Sequence, residues 1–283
     1  MNLDNKVVRD FGEEWKKFNF LDNDELLRLR DQFRKYLTPL PQELLSNNNL
    51  VAADFGAGTG RWSYFIKEYC QQLYVLEPSP KAFSVCQKRF IQNKKIKLYM
   101  EPLEQNSIPD QTLDLAISLG VLHHLPDTQL AMQSIRKKIK PGGYFLGYLY
   151  YALENRKFYY RALWRFSDVM RRGISLLPTK VKLIIADFLA IVLYFPLAKL
   201  SKLFSKMGIP IDGLPLHHYS NLSFEVMRND ALDRFGTSLE QRFTQKEIKQ
   251  MLEESGFDVS TLRFSDDEPF WTFSVRNMEF HKI

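Results

Sequence analysis

A glycine-rich turn directly after a short apolar run constrains the fold of this chain more than any other feature. Residues 50–53 (Leu-Val-Ala-Ala) are too few for a helix, and their composition favours a buried parallel strand. Asp54 and Phe55 follow, and residues 61–67 then predict the start of a helix. Glycine permits positive φ and lets a ligand lie against the main chain. A strand, a glycine turn and a helix in this order predict a nucleotide-binding unit built on Gly56-Ala57-Gly58-Thr59-Gly60.

The spacing of the glycines argues against two other phosphate-binding motifs. A dinucleotide fingerprint would need its third glycine at position 61, which is Arg61. A P-loop would need Gly-Lys-Ser/Thr after four spacer residues, and that pattern is absent. An acidic residue followed by Gly-x-Gly-x-Gly instead resembles motif I of the class I S-adenosylmethionine-dependent methyltransferases.

Further motifs follow at the spacing of that family. Residues 73–76 predict a second strand that ends in Glu77, roughly twenty residues after the glycine turn, where a carboxylate can accept both hydroxyls of a ribose. Third and fourth strands are predicted at 96–100 and 113–118. The string SLGVLHHLPD, a helix over 128–138 and the string KPGGYFLG come next. Together these residues resemble the UbiE-like, small-molecule branch of the family.

The resemblance implies an α/β fold, a Rossmann-like doubly wound sheet of seven strands with the last strand antiparallel. It divides the chain into four parts. Residues 1–49 form an N-terminal helical arm or lid, and 50–151 form the core that binds S-adenosylmethionine. Residues 152–242 form a helical cap insertion on the acceptor side, and 243–283 complete the core with a helix and strands six and seven.

The resemblance also assigns cofactor contacts residue by residue. Asp54 would orient the ammonium group, the glycine turn would hold the methionine portion, and Glu77 would hold the ribose. Leu103 would border the adenine, although Pro102 stands where many relatives carry Asp, so Glu101 or Glu104 is expected to substitute. The predicted cofactor-binding residues are Asp54, Gly56, Ala57, Gly58, Gly60, Glu77, Pro78, Leu103, Ser118 and Leu119.

Two neighbouring histidines are the candidate catalytic residues. His123 and His124 come just after the fourth strand, and a histidine near neutral pKa can take a proton from an alcohol or ammonium acceptor. Packing is the alternative interpretation for both. The candidate substrate contacts are Trp15, Tyr150, His217, His218 and Tyr219, and aromatic packing is again the alternative for Trp15 and Tyr150.

Composition limits the remaining possibilities. The net charge of +6 over 283 residues is weak for a nucleic-acid-binding protein of this size. The two cysteines, Cys70 and Cys86, lie in no metal or redox motif, so we expect reduced core thiols and a cytoplasmic protein. The N-terminus lacks the apolar core of a signal peptide. No residues have the spacing of metal ligands, and we expect no metal.

The N-terminal arm contains two predicted helical segments. Phe11, Trp15 and Phe18 recur at helical spacing and form either a stripe packed on the core or a lid over the cofactor. A second helix is predicted to start at Asp22 or Asn23 and to end before Thr38-Pro39.

The insertion combines apolar and basic residues. Residues 156–172 are amphipathic with several arginines, and 183–198 contain a single charge, Asp187. The apolar stretch is shorter than the roughly twenty residues that span a bilayer. We therefore expect a buried cap helix first, a helix lying on a membrane second, and a spanning helix last.

Four functions remain open from the sequence. The leading one is methyl transfer to oxygen or nitrogen of a small-molecule or sugar-containing metabolite in biosynthesis. The second is methylation of a lipid or lipid-linked saccharide by a peripheral membrane enzyme. RNA methylation ranks third, because the Asn-Pro-Pro-Tyr motif is absent. An inactive cofactor-binding scaffold subunit is the fourth.

Overall fold

The computed structural model describes residues 2, 8, 23–46, 48–154, 157–211, 214, 216–236, 239–266 and 271–278. The chain divides into two compact units. Unit 1 comprises Met1–Asn155 together with Leu239–Ile283, and unit 2 comprises Arg156–Ser238. Unit 2 therefore falls inside the insertion that the sequence predicts at 152–242.

Unit 1 is built around a seven-stranded sheet. The strands are β1 (Leu50–Phe55), β2 (Cys70–Leu76), β3 (Ile96–Tyr99), β4 (Leu113–Leu119), β5 (Ile139–Tyr148), β6 (Phe257–Phe264) and β7 (Thr272–Asn277). Their order across the sheet is β3-β2-β1-β4-β5-β7-β6. All neighbouring strands are parallel except those that pair with β7. The predicted Rossmann-like fold with an antiparallel last strand is confirmed.

The α-helices follow in chain order: α1 (Asn23–Leu37), α2 (Gln42–Leu45), α3 (Ser63–Ile66), α4 (Pro80–Phe90), α5 (Thr128–Lys138), α6 (Phe158–Ser175), α7 (Thr179–Leu189), α8 (Phe195–Lys206), α9 (Phe224–Gly236) and α10 (Gln245–Glu254). Helices α1 and α5 lie where the sequence predicts them. The segment 11–18, with its predicted helix, lies outside the described residues.

The helix after the glycine turn differs from the prediction. A helix starting near Arg61 was expected, but α3 has only four residues and is followed by a 3-10 turn, Lys67–Tyr69. Only residues 56–69 connect β1 to β2, and the glycine turn occupies the first of them, so a long helix does not fit. The N–H groups that a helix start leaves unpaired are therefore confined here to the four residues of α3.

The parallel strands bring three sequence motifs to one edge of the sheet. In the register of the sheet, Phe55 at the end of β1 pairs with Leu76 at the end of β2, and Asp54 pairs with Ile117 of β4. The residues that follow the strands therefore meet where open α/β sheets bind ligands. The strands themselves are anchored by a core of apolar side chains that includes Ala53, Phe145 and Phe273.

Unit 2 has a small core of its own. Ala186, Ala190, Tyr194 and Ala198 lie on one side of the α7–α8 helix and pack with residues of α9 such as Ala231. A π-helical segment, Ala190–Tyr194, joins α7 to α8, so that 180–206 form one continuous helix. Within the described part of the chain, this helix is the one long and apolar enough to cross a membrane.

The expectation that this helix is buried is wrong. Only 28% of its apolar stretch is buried inside the protein, and the side chains of Ile184 and Phe188 are 69% and 61% exposed. The side of the helix that packs against α9 carries mostly small residues. Many of the large apolar side chains lie on the opposite side, which is exposed.

Two glycine-to-alanine substitutions test the packing of the two units, and we expect them to change the free energy of unfolding in opposite directions. A Cβ at Gly147 in β5 would lie 2.4 Å from Cζ of Phe273, so Gly147→Ala should destabilise unit 1 by about 1–3 kcal/mol through overpacking. A Cβ at Gly173 in α6 meets no atom within 4 Å. Gly173→Ala should therefore stabilise α6 by about 0.5–1 kcal/mol. Urea unfolding followed by far-ultraviolet circular dichroism measures both, and a Gly147→Ala protein as stable as the wild type would contradict the packing.

Candidate active site

The glycine turn is fastened to the end of β2 by backbone hydrogen bonds. The N–H groups of Gly56 and Ala57 both donate to the carbonyl oxygen of Leu76, at 3.0 and 2.9 Å. Gly56 has a φ of 78°, and a Cβ there would lie 2.5 Å from Cγ1 of Val121. Gly60 has a φ of 77°, and a Cβ there would lie 2.5 Å from Cε2 of Phe90. Glycine is therefore required at both positions by backbone conformation and by space.

The Glu77 carboxylate links the turn to the residues after β2. Its Oε2 accepts from the N–H of Gly58 and its Oε1 accepts from the N–H of Ser79, both at 2.8 Å. Burial raises the pKa of Glu77 to about 7, although the two N–H groups oppose that shift and the charge of Asp54 adds to it. Each carboxylate oxygen has a further lone pair, so Glu77 is able to accept ligand hydroxyls.

Asp54 lies at the carboxyl end of β1 and is 1% exposed. Its Oδ2 accepts from the hydroxyl of Ser63 at 2.5 Å. Burial raises the pKa of Asp54 to about 6, against the opposing effect of hydrogen bonds from Ser63. The site thus holds two buried carboxyl groups that titrate near neutral pH, the combination by which functional sites are recognised.

An apolar pocket lies beside the turn and contains about 330 Å³ of space, part of it open to solvent. Its walls are mainly aliphatic, which suits a flat aromatic base. The lining residues are Gly56, Leu76, Pro78, Glu101, Leu103, Glu104, Val121 and Leu125.

The two glutamates of this pocket have different partners. The Glu101 carboxylate accepts from the N–H and the hydroxyl of Ser107, at 2.6 and 2.7 Å. Glu104 accepts from the side-chain amide of Asn2 at 2.9 Å. The Asn2 amide also donates to the carbonyl oxygen of Asp127, and its Oδ1 accepts from the N–H of Asp127. The contact of Asn2 was not predictable from the sequence, because no local pattern signals a contact between residues more than a hundred positions apart.

His123 is the most unusual side chain of the site. It is fully buried, and neither ring nitrogen has a hydrogen-bond partner among the described residues. Its ring stacks on Tyr150, with ring centroids 3.8 Å apart. Burial, followed by the charges of His124 and Arg242, lowers the pKa of His123 well below its ordinary value of 6.5. Leaving a buried polar group unpaired costs about 1–3 kcal/mol, and the described residues supply no partner for this ring.

The neighbours of His123 are held by the segment after unit 2. Nδ1 of His124 lies 2.8 Å from the carbonyl oxygen of Leu239. The guanidinium of Arg242 lies 5.1 Å above the ring of Tyr150 and also forms an ion pair with Glu240. Arg242 was not predicted, because it stands far from the motif in sequence and reaches the site only through the fold.

The other predicted residues lie at the sheet edge, in unit 2 or outside the described residues. Ser118 donates its hydroxyl to the carbonyl oxygen of Phe55, and Leu119 ends β4 at the same sheet edge. In unit 2, Nδ1 of His217 lies 2.9 Å from the carbonyl oxygen of Leu214. Tyr219 is buried and donates to Asp230 at 2.9 Å, a placement that favours packing. His218 belongs to the 3-10 segment His217–Asn221, and Trp15 lies outside the described residues. The roles of all these residues stay predictions.

Comparison with known proteins identifies the domain. Residues 53–147 match the family model described as a methyltransferase domain. Residues 53–147 form a methyltransferase domain. The matched residues include the glycine turn, Glu77, His123 and the strands that position them. Unit 2 lies outside the match. No curated protein matches the chain.

The chain also aligns with solved structures, one of which reaches a TM-score of 0.50. A candidate methyltransferase from Bacillus halodurans aligns over 82% of this chain and 70% of its own, with 12% identity and a TM-score of 0.50. An S-adenosylmethionine-dependent methyltransferase from Mesorhizobium loti aligns over 40% of this chain and 52% of its own, with 22% identity and a TM-score of 0.35. The N-methyltransferase NodS from Bradyrhizobium japonicum, in complex with S-adenosyl-L-homocysteine, aligns over 51% and 72%, with 21% identity and a TM-score of 0.41.

The residues present fit S-adenosylmethionine, the cofactor of this domain. The Glu77 carboxylate is the group that would bind the ribose hydroxyls, and the aliphatic pocket would take the adenine. The buried hydroxyl of Thr59, in the glycine turn, has no hydrogen-bond partner among the described residues. A polar ligand against the turn would satisfy it.

The raised pKa of Glu77 predicts how the stability of the cofactor-free protein depends on pH. Its folded pKa of about 7 lies above its unfolded value of about 4.3, so between these values the folded state binds more protons than the unfolded state. Glu77 therefore makes the free energy of unfolding fall as pH rises from about 4 to 7. Glu77→Gln should remove this contribution.

Urea unfolding of the wild type and the variant at several pH values measures the difference. The comparison is needed because His123, whose pKa is lowered, contributes with the opposite sign in both proteins. Parallel pH profiles of the two proteins would contradict the raised pKa.

Proposed function

We propose that the protein transfers a methyl group to an oxygen or nitrogen atom of a small-molecule or sugar-containing metabolite. When bound, S-adenosylmethionine supplies an activated methyl group on a sulfonium. The chain itself must then hold the cofactor, hold the acceptor and remove the acceptor's proton. The observation that carries the proposal is the buried, unpartnered ring of His123, directly after β4.

The cofactor would be held by the groups that meet at the sheet edge. Glu77 would accept the ribose hydroxyls in its ionised form, and their hydrogen bonds would lower its pKa again. Leu103 and Val121 would enclose the adenine, with Glu101 and Glu104 beside it. Asp54 would orient the ammonium group, directly or through water.

His123 would act as the general base. With its pKa well below 6.5, the imidazole is neutral at pH 7 and has a nitrogen available to accept a proton. Stacking on Tyr150 fixes the plane of the ring. An acceptor hydroxyl or amine would provide the missing hydrogen bond and give up its proton to the ring. His124, which is held by the carbonyl of Leu239, would position the pair.

Unit 2 would determine the acceptor. It is inserted in the chain after the carboxyl end of β5, and His217, His218 and Tyr219 are its candidate contacts. A lipid or lipid-linked saccharide is a second acceptor class, because unit 2 exposes many large apolar side chains.

Replacing His123 tests the proposed function. His123→Ala should lower turnover by about 10²–10⁴-fold while cofactor affinity changes little, because the base contacts the acceptor. The acid limb of the pH–rate profile should lie below about pH 6.5 in the wild type and disappear in the variant. Formation of S-adenosylhomocysteine with a panel of sugar, amine and lipid-linked acceptors gives the rates.

The same experiment separates the alternatives. A packing role for His123 predicts a lower melting temperature with saturated turnover preserved within a few-fold. His124→Ala is the neighbouring control, and its effect on turnover should be smaller. A wild-type protein that binds S-adenosylmethionine but forms no product with any acceptor class would instead favour a scaffold subunit.

A further inference from the structure

Unit 2 carries most of the exposed apolar surface of the protein. Of the large apolar side chains that are exposed among the described residues, all but Leu27, Ile91, Met100, Leu130 and Met278 lie in unit 2. Isolated exposed apolar residues are common on soluble proteins, but a concentration of them marks an interaction surface. Two helices, α6 and the continuous helix 180–206, supply nearly all of it.

The helix 180–206 carries large apolar residues on its exposed side, the opposite of the arrangement in a helix of a soluble domain. Its buried side repeats every four residues and consists mostly of small or polar residues, namely Lys182, Ala186, Ala190, Tyr194, Ala198 and Ser201. Its large apolar residues face outward at helical spacing, namely Val181, Ile184, Phe188, Ile191, Phe195, Leu200 and Leu203. A soluble helix places its wide apolar stripe toward the core, so this one is shaped for an apolar environment outside the protein.

Helix α6 likewise buries polar residues and exposes large apolar ones. The residues that it buries are polar, namely Asp168, Arg171 and Ser175, with an ion pair of 2.8 Å between Arg171 and Asp168. Its exposed apolar residues are Phe158, Leu163, Phe166, Val169 and Met170. Both helices contact α9, so each presents its apolar side away from the core of unit 2.

The charges of unit 2 indicate which kind of surface the apolar sides of these two helices would contact. Besides Arg172, which is paired with Asp168, the exposed basic residues of unit 2 among those described are Lys157, Arg161, Arg165, Lys180, Lys199 and Lys206. The acidic side chains that the structure describes there are engaged internally: Asp168 with Arg171 and Arg172, Asp187 with Arg228, and Asp230 with Tyr219. Among the described residues, the surface therefore combines apolar side chains with positive charge that no described acidic side chain neutralises, the composition of helices that lie on anionic membranes.

We propose that unit 2 docks the protein on an anionic lipid bilayer, with α6 and the helix 180–206 lying in the interface. The large side chains would enter the boundary of the acyl chains, and the basic residues would contact lipid phosphates. A second copy of the chain is a poorer occupant, because the two surfaces would bring the same positive charges together. The proposal does not depend on the methyl-transfer chemistry.

An interfacial orientation fits the helix 180–206 better than a spanning one. Asp187 is paired with Arg228 of α9 at 2.7 Å, and their side chains are 42% and 32% exposed. A spanning helix would carry this pair, about one turn from the centre of its apolar stretch, into the hydrocarbon, where a charged residue costs about 2.5–3.5 kcal/mol. Lying in the interface keeps the pair in contact with water while the large apolar side chains enter the bilayer.

Vesicle sedimentation of the full chain tests the proposal. The protein should sediment with vesicles of phosphatidylcholine and phosphatidylglycerol, less with phosphatidylcholine alone, and less as salt rises. Ile184→Ser/Phe188→Ser should weaken binding by about tenfold or more, from the lost apolar burial. Arg161→Gln/Arg165→Gln should weaken it by about 30-fold, from about fivefold for each lost charge.

Matched variants of unit 1 serve as controls. Ile91→Ser removes an apolar side chain that is 76% exposed, and Lys94→Gln/Lys137→Gln removes two exposed charges; neither should change vesicle binding. Equal melting temperatures and equal affinity for S-adenosylmethionine establish that all variants are folded.

Two results would overturn the proposal directly. One is that the protein does not sediment with vesicles at low salt, and the other is that the unit 2 variants bind vesicles as strongly as the wild type. Retention in membranes after alkaline carbonate extraction would assign a spanning helix instead. A dimer in sedimentation equilibrium that Ile184→Ser/Phe188→Ser dissociates, without vesicle binding, would assign the surface to a second copy.

Discussion

The site depends on the two hydrogen bonds that the Glu77 carboxylate accepts from backbone N–H groups. They tie Gly58 of the glycine turn to Ser79 after β2, and they hold a charge-bearing group in a buried position. Burial alone would favour the neutral acid, and the two donors favour the carboxylate. The group is therefore balanced near neutral pH, so that ligand hydroxyls at the same oxygens would decide its state.

The two units use hydrophobicity in opposite ways. Unit 1 buries its apolar residues between a sheet and its helices, as at Ala53 and Phe145. Unit 2 packs small side chains such as Ala186 and Ala190 inside and places large ones outside. A membrane surface would reconcile the two patterns, because it supplies unit 2 with the apolar environment that its own core does not. An acceptor that resides in or near a membrane would then reach a methyltransferase held beside it.

Local patterns predicted the sheet well, because a strand, a glycine turn and an acid at a fixed spacing are typical of one arrangement of parallel strands. The cofactor roles of the residues at the sheet edge stay predictions. Helix α5 has the predicted bounds, and Glu77 and Leu103 lie at the predicted sheet edge. Long-range contacts were not predictable in this way. Asn2 at Glu104 and Arg242 at Tyr150 come from distant parts of the chain. Composition identified 183–198 as apolar but not which side of the helix faces outward, because that depends on what α9 accepts.

Calorimetric titration of S-adenosylmethionine into the wild type and into Glu77→Ala is the most direct test of the central claim that this carboxylate organises cofactor binding. Hydrogen bonds to a charged group contribute about 1.5–3 kcal/mol each, so the variant should bind about 2–4 kcal/mol more weakly, roughly thirty- to a thousand-fold. The wild type should bind with one site per chain. Absence of binding by the wild type, or equal affinity in the variant, would contradict the account.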